Sequence, residues 1–176
     1  MNRLILPCLF VLSLCGCESM HHSSSSSGAS AAAEDNAPQH MYAPGEIKWQ
    51  PGPASLLPGA QMAVLEGDPS KPGFFAMRLR LPDGYKVMPH WHPKQERVTI
   101  VAGTLNLGMG DTYDPANTRP LTAGSYSTMP AGMRHFAFAK GVTELQLATN
   151  GPWVINYVNP ADDPRKAGAT SGSSGK

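Results

Sequence analysis

The stretch PHWHPKQE, residues 89–96, carries two histidines one residue apart and a glutamate four residues beyond the second. In a helix, His90 and His92 would point about 200° apart, and the prolines on both sides of His92 would break that helix. In an extended chain, residues i and i+2 lie on the same face, so both imidazoles can converge, and Glu96 has the same parity. The stretch therefore predicts three potential metal ligands on one side of a strand pair, with a fourth from elsewhere.

The sequence around this stretch consists of short alternating runs separated by Gly and Pro, without a long segment of helical period. In FFAMRLRL, residues 74–81, alternate apolar side chains share one face, while Arg78 and Arg80 point the other way. A tight turn is expected at Ala102-Gly103 and a long loop over residues 110–124. This pattern predicts an all-β domain, either a sandwich or a jelly-roll barrel. Further strands are predicted at residues 97–101, 104–107, 125–129, 135–139, 143–148 and 154–158.

Two glycines frame the histidine stretch at regular distances. Five residues separate Gly84 from His90, three separate His92 from Glu96, and six separate Glu96 from Gly103. Together with the single residue between the histidines, these intervals form one spaced motif. Glycine suits turns that need a positive φ angle, so Gly103, and Gly132 further along the chain, are expected to be structural positions.

A second spaced motif follows twenty residues later. Five residues separate Gly124 from Pro130, one separates Pro130 from Gly132, and two separate Gly132 from His135. The two motifs resemble those of the cupin superfamily, except that Ala139 replaces the asparagine that closes the second. The resemblance covers residues 84–139, and the β-rich flanks extend it to nearly the whole domain. It implies a small cupin-type jelly-roll β-barrel.

The cupin resemblance further implies one divalent transition metal inside the barrel, bound by His90, His92, Glu96 and His135. The chemistry of these side chains agrees, because three neutral imidazoles and one carboxylate suit Fe, Mn, Ni, Co, Cu or Zn and do not suit the all-oxygen preference of Ca and Mg. Four protein ligands would leave two positions of an octahedral ion open for water, substrate or dioxygen. A site of this kind can perform chemistry on a small molecule.

Three functions remain open at this point, because the cupin barrel hosts oxygenases, isomerases and non-catalytic binders. The first is a metal-dependent enzyme, most plausibly dioxygenase-like, acting on a small-molecule substrate. The second is a module of the cell envelope that binds or senses a metal or small molecule without turnover. The third and weakest is a purely structural lipoprotein. No catalytic residue beyond the metal ligands is assigned, and a homodimer is not excluded.

Apolar and basic residues near the motifs are assigned to the scaffold. Phe136 and Phe138 have the opposite parity to His135 and are expected to face away from the metal. Arg78, Arg80 and Arg134 could meet an anionic substrate, but we interpret them as exposed or salt-bridged charges.

The first residues have the composition of an export signal. Arg3 precedes an apolar run over residues 4–16, which is too short for a typical membrane span and has the length of a secretory signal. Leu14-Cys15-Gly16-Cys17 resembles a bacterial lipobox, so cleavage is expected after residue 16 with a lipid on Cys17. Glu18 then favours the outer membrane, facing the periplasm. An ordinary hydrophobic leader is the alternative.

The expected layout is a signal peptide over residues 1–16, a lipidated flexible linker over 17–40, a cupin domain over 41–165 and a disordered tail over 166–176. All three cysteines lie at positions 8, 15 and 17, so the domain has none for a disulfide. The full chain has 14 basic and 13 acidic residues, and loss of Arg3 with the signal leaves 13 of each. This neutral balance gives no support for nucleic-acid binding.

Overall fold

The computed structural model describes residues 38–166. Within this range the chain forms nine strands, all paired antiparallel, and two 3₁₀ turns, Pro44–Glu46 and Pro160–Asp162. The predicted all-β class is confirmed. None of the helical segments between residues 38 and 166 is long and apolar enough to cross a membrane. The strands are β1 (Gln50–Pro51), β2 (Gln61–Glu66), β3 (Gly73–Leu81), β4 (Lys86–Trp91), β5 (Glu96–Met109), β6 (Arg119–Thr122), β7 (Tyr126–Met129), β8 (His135–Gly151) and β9 (Asn156–Tyr157).

The two long strands β5 and β8 hold the barrel together. β8 pairs with β5 along one edge, while its other edge pairs first with β4 and then with β3. β5 in turn pairs with β7 near its start and with β6 further along. Strands of 14 and 17 residues are far longer than the usual length of about 5–6. Each passes from one group of short strands to the next, which gives the predicted jelly-roll barrel.

The turn predicted at Ala102-Gly103 is wrong, because β5 continues through these residues as one strand. The pairing of β5 with β8 shifts register between Ile100 and Ala102 and again between Ala102 and Thr104, as in a β-bulge. Gly103 has a φ angle of +74°, which both a tight turn and a glycine bulge require. From the sequence these two uses of glycine look the same.

Two further boundaries differ from the prediction. The strands expected at residues 135–139 and 143–148 are one strand, β8, which runs through Gly141. The side chain of Asp83 accepts a hydrogen bond from the Gly141 N–H at 2.6 Å. The loop expected over residues 110–124 contains the short strand β6, which pairs with β5. Neighbouring strands and turns therefore supply hydrogen-bond partners that local sequence signals do not reveal.

The alternation predicted for β3 is confirmed. Its inward face is buried, with exposed fractions of 0 to 6 % at Phe75, Met77, Leu79 and Leu81. On the outward face, the Arg78 and Arg80 guanidinium groups lie 2.9 and 3.3 Å from the Glu144 carboxylate. Arg134 likewise pairs with Asp111 on the surface. These three arginines form ion pairs, in agreement with their interpretation as scaffold residues.

Candidate metal centre

Three strands bring the four predicted ligands into one buried group. His90 lies on β4 and pairs with His135, the first residue of β8, while His92 directly follows β4 and Glu96 begins β5. All four side chains are buried, with exposed fractions of 3 to 5 %. The Gly132 N–H donates to the His92 carbonyl at 2.8 Å, which ties the second motif to the first. The structure thus assembles residues that are up to 45 positions apart in the sequence.

The potential donor atoms of this group lie close together. One ring nitrogen from each of the three histidines falls within 4.8 Å of the others. The Glu96 carboxylate adds Oε1 at 3.4 Å from His92 Nε2 and Oε2 at 3.8 Å from His135 Nε2. The three imidazoles therefore form one group, and the Glu96 carboxylate lies beside two of them.

Main-chain carbonyls hold the other nitrogen of each imidazole. The Nδ1 atoms of His90, His92 and His135 lie 2.7, 2.8 and 3.0 Å from the carbonyl oxygens of Met88, Val154 and Met133. A carbonyl can only accept, so each Nδ1 carries the hydrogen and each Nε2 keeps its lone pair. Metal-binding histidines are usually oriented in this way.

The surroundings of the His92 Nε2 atom indicate whether a metal ion fits between the potential ligands. It is buried and has no hydrogen-bond partner. An unpaired buried acceptor is costly, and three deprotonated Nε2 atoms beside a carboxylate form the donor set that a divalent transition metal prefers. The four residues present therefore fit such an ion.

Burial keeps the group in the protonation state that metal binding requires for its histidines. Desolvation lowers the pKa of His92 to about 4, and it lowers the pKa of His135 as well. The pKa of His90 lies well below its usual value, chiefly through burial and secondly through His135 and His92. Burial raises the pKa of Glu96 to about 6, against the opposing influence of His135 and of a hydrogen bond from Trp153. A cation at the centre would favour the ionised carboxylate.

Trp153 is part of this centre, and sequence reasoning missed it. Its Nε1–H donates to Glu96 Oε1 at 3.3 Å, and its ring stacks on His92 with centroids 5.7 Å apart and planes 14° apart. The next residue, Val154, supplies the carbonyl that holds His92 Nδ1. One short segment thus orients two of the four potential ligands. No spacing pattern in the sequence links this segment to the histidine motif.

The group lies in the wall of a barrel cavity that is open to solvent, and the free space there, solvent at the mouth included, is about 580 Å³. Among the described residues that line it, thirteen are Leu, Val, Ile, Met or Ala, and the others are the four potential ligands, Trp153 and Ser127. Met129 belongs to this lining, whereas Phe136 packs on the opposite side of β8, where its ring contacts Tyr113 at a centroid distance of 5.3 Å. The expectation that Phe136 faces away from the centre is confirmed.

Ala139, the position that departs from the second motif, is buried in β8. Its main chain accepts from the Gly84 N–H at 3.0 Å and donates to the Tyr85 carbonyl at 2.9 Å. The backbone therefore ties the Gly84 turn to β8 without an asparagine side chain. The remaining predicted site residue, Cys17, lies outside the described residues.

Comparison with known proteins agrees with this architecture. The chain superposes on the polyketide cyclase RemF from Streptomyces resistomycificus with a TM-score of 0.56, at 14% identity, covering 76% of this chain and 95% of that one. For a putative acetylacetone dioxygenase from Methylibium petroleiphilum PM1, the TM-score is 0.55, at 19% identity, covering 76% and 96%. At these identities the likeness shows the fold alone.

A local sequence match connects the chain to a plant protein. The germin-like protein 9-3 of Oryza sativa subsp. japonica is 41% identical over 54 residues, which are 30% of this chain. The chain spans about a quarter of the length of the curated relatives that it matches, 25% in each case.

The fold is that of a cupin-like jelly-roll barrel. The chain belongs to the family described as a domain of unknown function, DUF4437, whose model matches residues 31–151.

Proposed function

We propose that the protein binds one divalent transition metal through His90, His92, Glu96 and His135 and acts on a small molecule in the barrel cavity as a dioxygenase-like oxidoreductase. The observation that carries this proposal is the buried Nε2 of His92, which has no hydrogen-bond partner. A buried polar atom left unpaired costs roughly 1–3 kcal/mol, and a metal ion would satisfy it together with its two neighbours. Fe, Mn, Ni, Co, Cu and Zn all suit this donor set.

A bound metal ion would polarise a substrate oxygen as a Lewis acid, and a redox-active metal such as Fe, Mn or Cu would also activate dioxygen. The residues of the chain prepare the site for that chemistry. Main-chain carbonyls fix the three imidazoles, and Trp153 holds Glu96 Oε1. Thirteen aliphatic side chains line the same cavity, so its surroundings are less polar than water and electrostatic interactions within it are stronger.

The reaction class is proposed from the donor set rather than from the similar structures. The putative acetylacetone dioxygenase and the polyketide cyclase share the fold and set a precedent for small-molecule chemistry in it. A metal held by the four potential ligands would keep room for a substrate or for dioxygen, which an oxygen-using enzyme needs.

The test is to purify the full chain without chelator, measure its metals by elemental mass spectrometry, and then load the metal-free protein with Fe(II) under anaerobic conditions. Oxygen uptake is followed with acetylacetone, catechol, ascorbate and cysteine, which cover diketone, phenolic, enediol and thiol classes. We expect about one metal ion per chain and uptake stimulated by at least one class. Failure of any candidate metal to bind, or to stimulate uptake with any class, would contradict the proposal.

A non-catalytic binding module is the second candidate. It is favoured by the lining, in which no described residue other than the potential ligands could act as a general acid or base at neutral pH. If this candidate is correct, mass spectrometry of the purified protein will find an organic ligand that stays unchanged after the metal is reloaded in air.

We also propose that the mature protein is anchored by a lipid on Cys17 to the outer membrane, facing the periplasm, with residues 17–40 as the tether of the domain over 41–165 and residues 166–176 as its tail. The lipobox-like run and the apolar segment before it support this location. Expression in bacteria with labelled palmitate should label the wild type and a Cys8→Ser control but not Cys17→Ser. Equal labelling of both variants would refute lipidation at Cys17.

The oligomeric state is a separate question. Light scattering of the purified chain would decide whether it is a homodimer.

A further inference from the structure

Apart from the four potential ligands, Trp153 and Ser127, the cavity wall is hydrocarbon. Leu79 and Leu81 come from β3, Leu105 and Leu107 from β5, and Leu145 from β8, and all have exposed fractions of 2 to 7 %. A ligand that fills this space must place most of its surface against aliphatic side chains.

Polar partners for a ligand are scarce in this cavity. Among the lining residues in the described part of the chain there is no Lys, Arg, Asp, Asn, Gln, Thr or Tyr. Trp153 Nε1 already donates to Glu96. Ser127 is the remaining polar side chain, and its hydroxyl is directed at the Met129 sulfur at 3.4 Å, a weak acceptor. A ligand with several hydroxyl groups would therefore lose hydrogen bonds to water and regain few.

The net charge of the metal-loaded centre favours a ligand that carries one negatively charged oxygen. With neutral histidines and an ionised Glu96, a divalent metal leaves the centre with one net positive charge. One ionised phenol or enol oxygen would neutralise it. A second charge on the body of the ligand would find no partner among the described lining residues, and burying an unpaired charge is strongly unfavourable.

Resting on the proposed metal site, we propose that this cavity takes a largely apolar small molecule with a single oxygen-bearing end, such as an alkyl-substituted phenol, catechol or diketone. The oxygen-bearing end lies at His90, His92, Glu96 and His135, and the hydrocarbon body lies against the leucine wall. Sugars, amino acids, phosphate esters and dicarboxylates are excluded by the same lining.

The test uses catechols that share one metal-binding end and differ only at position 4. Binding of 4-methylcatechol, 4-propylcatechol and 3,4-dihydroxybenzoate to the full chain is measured anaerobically by calorimetry, and metal content is determined on the same sample. Each added methylene should tighten binding about 4-fold if it is buried, or about 15-fold from methyl to propyl. Because of its carboxylate, 3,4-dihydroxybenzoate should bind at least about 100-fold more weakly than 4-methylcatechol.

Metal content separates failure of this inference from failure of the proposed function. If metal binds and 3,4-dihydroxybenzoate binds as tightly as 4-methylcatechol, the inference is wrong and the metal site stands. If no metal binds, the proposed function fails. The same ligand series then still tests whether the cavity wall prefers apolar substituents. The order propyl, methyl, carboxylate should persist in chelator-treated protein, because it arises from the lining, and its loss there would also overturn the inference.

A pair of variants locates the hydrocarbon body. Ala137 lies in the cavity wall on β8 and is 6 % exposed, two residues from His135. Ala137→Phe should fill part of the cavity. The affinity for 4-propylcatechol should then fall at least about 10-fold, because a packed interior has little free space. Ala102→Phe introduces the same ring at an exposed position of β5 and serves as the matched control. Equal affinities for 4-propylcatechol in a folded, metal-loaded Ala137→Phe variant and its control would count against the proposed placement.

Discussion

At His92, one nitrogen is held by a carbonyl and the other is left without a hydrogen-bond partner in a buried site. This arrangement has a cost in the metal-free protein, which a metal ion would offset. At His90 and His135 a main-chain carbonyl likewise holds Nδ1. The surroundings of His92 therefore suit a metal ligand better than a structural hydrogen-bonding residue.

Replacing His92 with Ala should reduce metal affinity more than about 100-fold, because a lost ligand should cost more than a lost outer partner, for which about 10–100-fold is typical. His40→Ala is the control, since His40 is exposed and lies outside the cluster. Competition titration with a chromophoric chelator measures both variants. Wild-type affinity in His92→Ala would remove this residue from the donor set.

Trp153→Phe should keep the stack on His92 and remove the donor to Glu96 Oε1, which now lies 3.3 Å from Trp153 Nε1. We expect metal affinity to fall about 10–100-fold with little loss of folding stability, as for other partners that orient a ligand. Trp49→Phe provides the comparison, because Trp49 stacks against Arg80 on the outer face of β3. The same chelator titration, with urea unfolding in parallel, separates orientation of the ligand from general destabilisation.

At the level of strands, the bulge at Gly103 allows β5 to follow β8. A Cβ atom at this position would collide with the Val142 carbonyl oxygen and with Thr143. Thr143 is fully buried, and its hydroxyl donates to the Thr104 carbonyl at 3.0 Å. The close approach of the two strands therefore depends on the missing side chain as well as on the positive φ angle.

Gly103→Ala should destabilise the domain by roughly 2–4 kcal/mol, combining backbone strain of about 1–3 kcal/mol with the collision. Gly141→Ala is a matched control on β8, since Gly141 has a φ angle of +72° but nothing within 4 Å of an added Cβ. It should show the strain alone. Urea denaturation of the metal-free protein measures both, and equal losses would mean that the close contact contributes nothing.

Across the whole molecule, the centre links folding stability to pH. The buried histidines bind protons less readily in the folded state, so their contribution is present above their unfolded pKa of 6.5 and is lost as pH falls toward the folded value, about 4 for His92. Glu96 acts in the opposite direction, because its pKa rises from 4.5 to about 6, so its contribution is present below pH 4.5 and is lost as pH rises through 6. The three histidines therefore lower the stability as the pH falls, and Glu96 alone acts against them.

The metal-free protein should therefore lose stability between pH 6.5 and 4.5, because the three histidines together outweigh Glu96 over this range. Urea midpoints recorded at half-unit intervals would show it. His135→Gln, which removes one of the three titrating imidazoles, should have a shallower dependence. A wild-type midpoint that stays constant or rises on acidification would be inconsistent with neutral buried histidines.

Much of the architecture could be predicted from local patterns. The alternation of Phe75, Met77 and Leu79 identified β3 and its buried face. The two β5 segments, by contrast, were separated at Gly103, because a glycine with positive φ serves a bulge as well as a turn. Only the pairing with β8 distinguishes the two uses.

The sequence by itself determined the parity of His90 and His92 and the spacing of the glycines, and the resemblance of that spacing to the cupin motifs implied the barrel and the fourth candidate ligand, His135. Backbone geometry makes these relations local, since residues two apart on a strand share a face. The tertiary structure decided the rest. Trp153 reaches Glu96 across 57 positions, and Val154 reaches His92 across 62. Such contacts, like the leucine wall, arise only when β5 and β8 curl around a common core, because no local propensity specifies which distant segments will meet.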